Sequence, residues 1–313
     1  MTANNNKTAI RAEGLIKRFG PLVAVDGLSL EVAAGEAFAL VGPDGAGKTT
    51  TIRLLCGIMD PDQGRAEVLG FDTVRESERI KESIGYMPQR FGLYDDLTVA
   101  ENISFYADVY RVPRAERQRR VPQLLKFSGL SQFQSRLAAN LSGGMRQKLG
   151  LVCALVHTPR LLFLDEPTFG VDPVSRREFW QILYQLLETG ITIFVSTAYL
   201  DEAERAHRVG LLHRGNLLIA GNPRKIKAAF EGELLEVRTR NLHAAKKLLT
   251  GHALTRQVLA TGDRLMVTVE DREAALGPLE KSLKEANLTE IRIVPAEPTL
   301  EELFVQIVRR EGK

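Results

Sequence analysis

The sequence predicts an α/β fold with a mainly parallel sheet, followed by a smaller α+β domain. Apolar, strand-like segments alternate with helical stretches over residues 8–222, which is typical of a parallel sheet whose strands are joined by helices. Beyond this region the order becomes strand, helix, strand, strand, helix, strand, which favours a ferredoxin-like domain. We therefore expect one domain at 1–225 and a second at 226–313.

The expected strands of the first domain are short and apolar, as buried strands of a parallel sheet are. They are AFALVG at 37–42, LLFLD at 161–165, ITIFVS at 191–196 and RVGLLH at 208–213. Gly221 and Pro223 then interrupt the pattern and mark the expected domain boundary. In the second domain, strands are expected at 233–240, 253–260, 264–270 and 289–294, with helices at 242–250 and 272–286.

Composition and charge narrow the possible function classes. Of the 313 residues, 44% are hydrophobic, no apolar run approaches the roughly 18 residues of a membrane span, and the polar start at 1–10 lacks the apolar core of a signal peptide. We therefore expect a protein that works in the cytoplasm. The net charge of +3 is too small to indicate a nucleic-acid partner. The basic run at 111–120 is expected to be a solvated helix face, and contact with a membrane surface or an acidic partner is the alternative. Cys56 and Cys153 lie among apolar residues, which predicts buried, reduced thiols.

The segment GPDGAGKTT at 42–50 follows an apolar strand and overlaps a helical stretch at 49–59, which is the setting of a phosphate-binding loop. Glycines in such a loop let backbone N–H groups converge on phosphate oxygens, and the helix N-terminus adds its dipole. Lys48 can reach the β- and γ-phosphates, and the Thr49 hydroxyl can bind Mg²⁺. The candidate nucleotide-binding residues are Gly42, Pro43, Asp44, Gly45, Ala46, Gly47, Lys48, Thr49 and Thr50.

A pair of carboxylates ends the apolar strand at 161–165. Ligands of open α/β sheets bind at the carboxyl ends of the strands, so Asp165 is placed to hold Mg²⁺. Glu166 is placed to position or deprotonate a water molecule for in-line attack on the γ-phosphate. Such a pair taken alone is more often a helix cap, and the phosphate loop upstream is what favours catalysis.

The motif LSGGMRQKLGLVCAL at 141–155 indicates which class of phosphate-loop protein this chain resembles. Together with the loop, the acidic strand, YMPQ at 86–89 and VDP at 171–173, it resembles the nucleotide-binding domain of ATP-binding cassette (ABC) proteins over residues 8–225. The resemblance implies a P-loop NTPase with a RecA-like core sheet, an antiparallel β subdomain and a helical subdomain at about 90–160. It also implies that ATP and Mg²⁺ are bound between two cassettes in a head-to-tail dimer.

The resemblance also assigns roles to single residues. Phe19 matches the aromatic side chain that stacks on adenine, Gln89 the glutamine that senses magnesium and the attacking water, and Asp172 an aspartate at the dimer contact. The signature motif binds the γ-phosphate of the ATP held by the facing cassette, and a helix N-terminus with a free hydroxyl suits that role. The signature residues are Ser142, Gly143 and Gly144.

The family usually carries a histidine directly after a Ser-Thr pair, where it hydrogen-bonds the γ-phosphate and holds the attacking water. In STAYLDEAE at 196–204, this position is Ala198. A methyl group can neither donate nor accept a hydrogen bond, so the transition state loses one partner, at a cost of about 3–4 kcal/mol or roughly 10²–10³ in rate. Tyr199 follows directly but is expected to point elsewhere, and His207 lies farther along the chain.

Two other residues depart from the family pattern at the same ATP site, which the resemblance places between two cassettes. Asp44 stands where such loops more often carry Asn or Ser, and a carboxylate beside a triphosphate is unfavourable unless it hydrogen-bonds neighbouring N–H groups or faces a partner. Phe169 stands where a small residue is usual, shortly before Asp172. Each change taken alone is also explained by independent drift, but three changes at one site favour a site suited more to binding than to turnover.

The segments at 85–103, 196–204 and 295–308 resemble ATPases of the ABC-2-type exporters, in particular the first cassette of tandem double-cassette multidrug-type ATPases. This implies an ATP-binding subunit, peripheral on the inner face of the cell membrane, that works with separate permease subunits. We expect a heterodimer in which this chain lends its signature to an active partner cassette and hydrolyses ATP slowly at Lys48. The alternatives are a soluble ABC ATPase without a transport role and an ATP-sensing clamp without turnover.

Overall fold

The structure is a computed structural model that describes residues 8–311; residues 1–7, which belong to the polar start, and residues 312–313 lie outside the described range. The chain forms two compact units that divide between Pro223 and Arg224. Each unit has a hydrophobic core of its own. The α/β class that the sequence predicts is confirmed by the element order and the sheet topology.

The first unit combines two sheets with a group of helices. Its strands are β1 (Thr8–Phe19), β2 (Leu22–Ala33), β3 (Ala37–Val41), β4 (Gln63–Val68), β5 (Phe71–Asp72), β6 (Ile84–Met87), β7 (Leu161–Asp165), β8 (Thr192–Thr197), β9 (Arg208–His213) and β10 (Asn216–Gly221). Its helices are α1 (Lys48–Leu55), α2 (Ser77–Ser83), α3 (Val99–Val109), α4 (Arg114–Ser128), α5 (Gly143–Leu155), α6 (Pro173–Glu188) and α7 (Leu200–Ala203). A short helix, α8 (Pro223–Lys227), spans the boundary between the units.

The central sheet of the first unit has the strand order β10-β9-β3-β8-β7-β6. Its strands pair in parallel except at β10, which runs antiparallel to β9. The strands β3, β7 and β8 are buried along their whole length, which explains their continuous apolar sequences. Val41 pairs with Thr197 and Asp165 with Ser196, so the carboxyl ends of these three strands lie side by side.

A second, antiparallel sheet of the first unit has the order β2-β1-β4-β5. Its buried residues share one core with α1 and with the central sheet, as the cluster of Leu15, Leu28, Ile52, Phe38 and Phe194 shows. The rings of Phe38 and Phe194 stack with centroids 5.4 Å apart. This sheet therefore covers the face of the central sheet on which α1 lies.

The helices α3, α4 and α5 of the first unit share a separate core that includes Ile103, Leu125 and Cys153. A capping box starts α3, because the Thr98 hydroxyl accepts from the Glu101 amide and the Glu101 carboxylate accepts from the Thr98 amide. The basic run at 111–120 covers the first half of α4, where most side chains are exposed or half-buried.

The helix α1 is shorter than the sequence pattern indicates. The apolar stretch at 49–59 predicts a longer helix, whereas α1 ends at Leu55. Gly57 has a φ of +64°, and a side chain there would lie 2.8 Å from the Cβ of Ser77. The chain turns at this glycine to pack on the next element, and this packing overrides the helical periodicity of the sequence.

The second unit is a four-stranded antiparallel sheet with helices. Its elements are β11 (Glu233–Arg238), α9 (Leu242–Thr250), β12 (Thr255–Thr261), β13 (Arg264–Val269), α10 (Arg272–Glu285), β14 (Arg292–Ala296) and α11 (Leu300–Glu311). The strand order is β12-β13-β11-β14, which is the ferredoxin-like order expected from the sequence. Leu249 and Leu279, from α9 and α10, pack on Val237 and Val267 of the sheet.

Both cysteines of the chain are free and buried, as the sequence predicts. Burial raises the pKa of both thiols, and the nearby charge of Asp165 raises that of Cys56 further. Neither thiol is therefore reactive at neutral pH. Within residues 8–311, no helix is both long enough and apolar enough to cross a membrane.

Candidate functional site

The phosphate loop forms the turn between β3 and α1. Gly45 and Gly47 have φ angles of +76° and +106°, a left-handed conformation that favours glycine. A side chain at Gly42 would lie 2.2 Å from the Leu212 carbonyl oxygen, and one at Gly47 would lie 2.2 Å from the Ala24 carbonyl oxygen. These glycines therefore fix the loop in a shape that places backbone N–H groups at the start of α1.

Lys48 is the first residue of α1 and is only 4% exposed. Its Nζ lies 2.7 Å from the Gly42 carbonyl oxygen, 3.0 Å from that of Pro43 and 3.0 Å from Oε1 of Glu166. A buried ammonium group is costly unless it is paired and hydrogen-bonded, and these three oxygens meet that need. An ammonium group held in this way can exchange such oxygens for those of a phosphate.

The strand β7 ends in two carboxylates that have different partners. Oδ1 of Asp165 accepts from the Ser196 hydroxyl at 2.6 Å and from the Thr49 hydroxyl at 3.1 Å. Glu166 accepts from the Gln89 side-chain amide at 3.1 Å, besides its ion pair described above. It has a φ of +48°, which costs a residue other than glycine about 1–3 kcal/mol. Its own amide donates to the Ser196 hydroxyl at 3.0 Å, a bond that holds this strained residue in place.

The donor chemistry around Asp165 fits Mg²⁺, the ion that the family resemblance implies. The Asp165 carboxylate and the Thr49 hydroxyl, 3.1 Å apart, are hard oxygen donors, and Mg²⁺ usually takes one or two such protein ligands together with phosphate and water oxygens. The negative charge of this site acts on its neighbours, since burial and the Asp165 charge together raise the pKa of Tyr86 to about 12. A divalent cation would offset that charge.

A cavity of about 490 Å³ opens over the phosphate loop, which is the size of a small-molecule site. Phe19, the predicted adenine contact, is 46% exposed at its wall, and Phe169 is 52% exposed. Asp44 is exposed and lines the same cavity. Gly42, Pro43 and Asp165 are not among its lining residues. Those are Phe19, Leu22, Ala24, Asp44, Gly45, Ala46, Gly47, Lys48, Thr49, Thr50, Gln89, Glu166 and Phe169.

The signature forms the start of α5. The Ser142 hydroxyl caps this helix by accepting from the Met145 amide at 3.3 Å, and both Ser142 and Gly143 are exposed. Gly144 is buried, and a side chain there would lie 2.7 Å from Ser175 of α6. None of the three signature residues lines the cavity over the phosphate loop of the described chain. Within one chain, the structure therefore does not bring the loop and the signature to one site.

Asp172 is the N-cap of α6. Its carboxylate accepts from the Val174 and Ser175 amides, both at 3.0 Å, and hydrogen bonds from Ser175 lower its pKa. Sequence reasoning did not predict this capping role. The side chain is exposed, and its role at a dimer contact stays a prediction.

Ala198 directly follows β8, is half-buried and does not line the cavity. Tyr199 is engaged elsewhere, because its ring lies 4.2 Å from the Arg176 guanidinium carbon. His207 accepts from the Ala37 amide at 2.9 Å, at the end of β3 opposite the phosphate loop. Neither side chain lines the cavity over the phosphate loop.

A buried polar group behind the site was not predicted from the sequence. Glu202 in α7 is 2% exposed, and its carboxylate accepts from the Thr168 hydroxyl at 2.7 and 2.8 Å and from the Thr197 hydroxyl at 3.2 Å. Burial raises the pKa of Glu202. The two polar residues Ser196 and Thr197 at the end of an apolar strand are a sequence pattern from which hydrogen bonding by their hydroxyls could have been predicted. Glu202 gave no comparable local signal, since Thr168 lies 34 residues away.

Comparison with known proteins agrees with this geometry. Residues 25–169 match the family model for the ABC transporter. Over 229 residues the chain is 48% identical to the probable multidrug ABC transporter ATP-binding protein YbhF of Escherichia coli K12, covering 72% of this chain and 40% of that protein. It is 35% identical over 305 residues to the daunorubicin resistance ATP-binding protein DrrA3 of Streptomyces coeruleorubidus, covering 96% of each.

A solved structure of similar fold is the ATP-binding cassette MJ0796, in a dimeric post-hydrolysis state bound to ADP and phosphate. It matches with a TM-score of 0.61 and 25% identity, over 68% of this chain and 98% of that one. The fold and the phosphate loop define a P-loop NTPase, as the sequence predicted. The chain belongs to the ATP-binding proteins of the ABC transporter family. It spans less than half the length of YbhF.

Proposed function

We propose that the chain is the ATP-hydrolysing subunit of an ABC-2-type exporter and powers transport through separate permease subunits at the inner face of the cell membrane. The observation that carries the ATPase function is the meeting of Lys48, Thr49, Gln89, Asp165 and Glu166 at one end of the central sheet. The names of the relatives, one a probable multidrug transporter and one a daunorubicin resistance protein, support export.

ATP binding would use the cavity over the phosphate loop, with the adenine at the exposed Phe19 ring and the phosphates at the start of α1. Lys48 then exchanges its carbonyl and carboxylate partners for phosphate oxygens, which releases Glu166. Thr49 and Asp165 would hold Mg²⁺. When bound, this ion neutralises charge that develops on the β- and γ-phosphates.

Hydrolysis would then rest on Glu166. Once released from the ammonium group, its carboxylate keeps the Gln89 amide as a partner and can accept a hydrogen bond from the attacking water. The strained backbone at Glu166 and the hydrogen bond from its amide to Ser196 orient this carboxylate. The chain thus supplies a positioned base for in-line attack.

We infer that turnover at this site is slow. The residue after the Ser-Thr pair is Ala198, and the two residues that the sequence offers as replacement donors, Tyr199 and His207, contact other groups. Asp44 adds an exposed carboxylate at the cavity wall, where it opposes the charge of a triphosphate. The site therefore keeps its binding groups and lacks one group for the transition state.

We also infer that the partner is a second, different cassette that carries the histidine. Ser142 and Gly143 are exposed and lie outside the cavity of their own chain, so an ATP that they contact is one held by another chain. The dimeric state of the similar MJ0796 cassette supports an assembly of two cassettes. In this heterodimer, our chain would complete the active site of its partner.

The experiment compares ATP hydrolysis by the purified chain, by a candidate histidine-bearing cassette, and by their mixture. We expect slow turnover by the chain alone and much faster turnover by the mixture. Ser142→Arg in this chain should abolish the activity of the mixture, because a bulky cation would displace the signature from the γ-phosphate. Ser135→Arg, at another exposed serine of the same unit, is the matched control and should leave the activity intact. Brisk turnover by the chain alone would refute the slow-site proposal, and an inert Ser142→Arg would refute the heterodimer.

A further inference from the structure

The C-terminal unit contains a cavity of about 440 Å³ that the proposed ATPase function does not use. It lies between α11 and the strands β12 and β13. The strands supply Arg256, Gln257 and Thr268, and the helix supplies Gln306, Arg309 and Arg310. Three guanidinium groups thus line this cavity, and the described residues contribute no carboxylate to its lining.

Carboxylates outside the cavity neutralise two of these three arginines. Arg256 forms an ion pair with Glu270. Arg310 forms an ion pair with Glu231, and this contact lowers the pKa of the Glu231 carboxyl group. Within residues 8–310, the side chain of Arg309 has neither an ion pair nor a hydrogen bond. The cavity therefore carries an excess of positive charge.

The cavity also contains a hydrogen-bond donor without a partner. Nε2 of Gln257 is buried and has no acceptor in the described part of the chain. The neighbouring amide of Gln306 is already used, because it donates to the Glu231 carbonyl oxygen at 2.9 Å and accepts from the Glu231 amide at 3.0 Å. Buried donors are nearly always hydrogen-bonded in folded proteins. A ligand rich in hydrogen-bond acceptors would therefore satisfy the donor in this cavity.

The dipole of α11 explains only part of this cluster. Arg309 and Arg310 lie in its last turn, where positive charge is favourable in any helix. Arg256 belongs to a strand far away in the sequence, and the unpaired Gln257 amide has no relation to the end of the helix. Convergence of donors from two strands and a helix is a property of the cavity.

We propose that this cavity binds a phosphate-bearing anion, either a soluble phosphorylated compound or the headgroup of a phospholipid. The planar fork of a guanidinium group matches two phosphate oxygens at once, which a lysine cannot do. A phosphate has further oxygens for the Gln257 amide and for the hydroxyl of Thr268, a residue that is 3% exposed. The volume is that of a small-molecule site.

The test uses the full chain with the substitution Lys48→Ala, which removes the main phosphate contact of the ATP site. Calorimetric titration with inorganic pyrophosphate probes a soluble ligand, and co-sedimentation with phosphatidylcholine vesicles containing phosphatidic acid probes a lipid headgroup. Adding Arg309→Gln should weaken the binding about 10- to 100-fold, because it removes charge-assisted hydrogen bonds. The matched control is Arg292→Gln on β14, which makes the same charge change at an exposed arginine outside the cavity.

Binding that Arg309→Gln weakens and Arg292→Gln preserves would support the proposal, and the probe that responds identifies the source of the phosphate. An independent variant, Arg256→Gln, should weaken the same binding. Thermal unfolding of each variant verifies that the fold is retained. The proposal is overturned if neither probe binds, or if Arg292→Gln weakens the binding as much as Arg309→Gln does.

Discussion

The neighbouring strands β7 and β8 end at the same edge of the central sheet, yet the chemistry at their ends differs. The strand β7 ends in Asp165 and Glu166, whose carboxylates contact the phosphate loop and Gln89. The strand β8 ends in Ser196 and Thr197, whose hydroxyls hydrogen-bond buried carboxylates, and the residue that follows is an alanine. The end of β7 carries groups that can act on a substrate, whereas the end of β8 carries one hydroxyl that holds Asp165 and one that contacts Glu202.

This difference bears on Ala198, the position where the family resemblance leads us to expect a histidine. The hydroxyl of Ser196 donates to Asp165 and accepts from the backbone amide of Glu166, so the residue two positions before Ala198 holds both carboxylate residues of β7. Ala198 is half-buried and does not line the cavity itself. Under our proposal, the histidine is the one group that this site lacks, and the hydrogen bonds of Ser196 are present.

The largest effect is expected at the end of β7. On an Ala198→His background, Glu166→Gln should lower ATP hydrolysis by about 10²–10⁴, because an amide cannot accept the proton of the attacking water. Single-turnover hydrolysis of ATP measures this loss. Retained binding of ATP by the double variant is the control that separates lost chemistry from lost affinity. An unchanged rate would show that β7 does not supply the base.

The second effect concerns the end of β8. Ala198→His in the otherwise unchanged chain should raise its own turnover by about 10²–10³, because an imidazole restores a donor to the transition state. Ala198→Leu adds bulk without a donor and serves as the matched control, which should give no gain. If the histidine and leucine variants hydrolyse ATP equally fast, hydrogen bonding at this position does not limit the rate.

The third effect concerns stability, behind the two strand ends. Thr168→Val should lower the free energy of unfolding by about 1–3 kcal/mol, because it deprives the buried Glu202 carboxylate of a donor. Thr168→Ser keeps the hydroxyl and should recover most of the loss. Chemical denaturation measures both variants.

The loss of unfolding free energy caused by Thr168→Val should vary with pH in a defined direction. Burial raises the pKa of Glu202 in the folded chain, so the carboxylate is ionised only above that raised value. The lost hydroxyl stabilised the ionised form, and the destabilisation by Thr168→Val should therefore be largest above this pKa and shrink as the pH falls through it. A loss that does not vary with pH would argue that the hydroxyl acts only through packing.

The smallest effect is expected at Tyr199. Tyr199→Phe should change ATP hydrolysis by less than about twofold, because the ring keeps its stacking on Arg176 and its hydroxyl has no assigned role in turnover. The rate of the chain alone is the measurement. A large loss would mean that the tyrosine hydroxyl replaces the missing imidazole, and the two strand ends would then be more alike than the structure indicates.

Sequence patterns predicted the elements well wherever the signal was local. The apolar runs located β3, β7 and β8, and the order of strands and helices after residue 230 predicted the strand order of the sheet in the second unit. The predicted end of α1 was wrong, because the packing of Gly57 against Ser77 stops the helix before its apolar pattern ends. The capping role of Asp172 was not predicted, because the family resemblance assigns this residue to a dimer contact.

By itself, the sequence determined the phosphate loop, the acidic strand end and the alanine that follows β8, because each is encoded within a few consecutive residues. The tertiary structure decided which of these groups meet. The Thr49 hydroxyl reaches Asp165 across 116 residues, and Glu202 reaches Thr168 across 34, only because sheet register and crossover geometry bring them together. The cavity between α11 and the strands β12 and β13 also depends on tertiary structure, since its donors come from two strands and a distant helix. Local periodicity carries no record of such long-range pairings, and folding alone sets their distances.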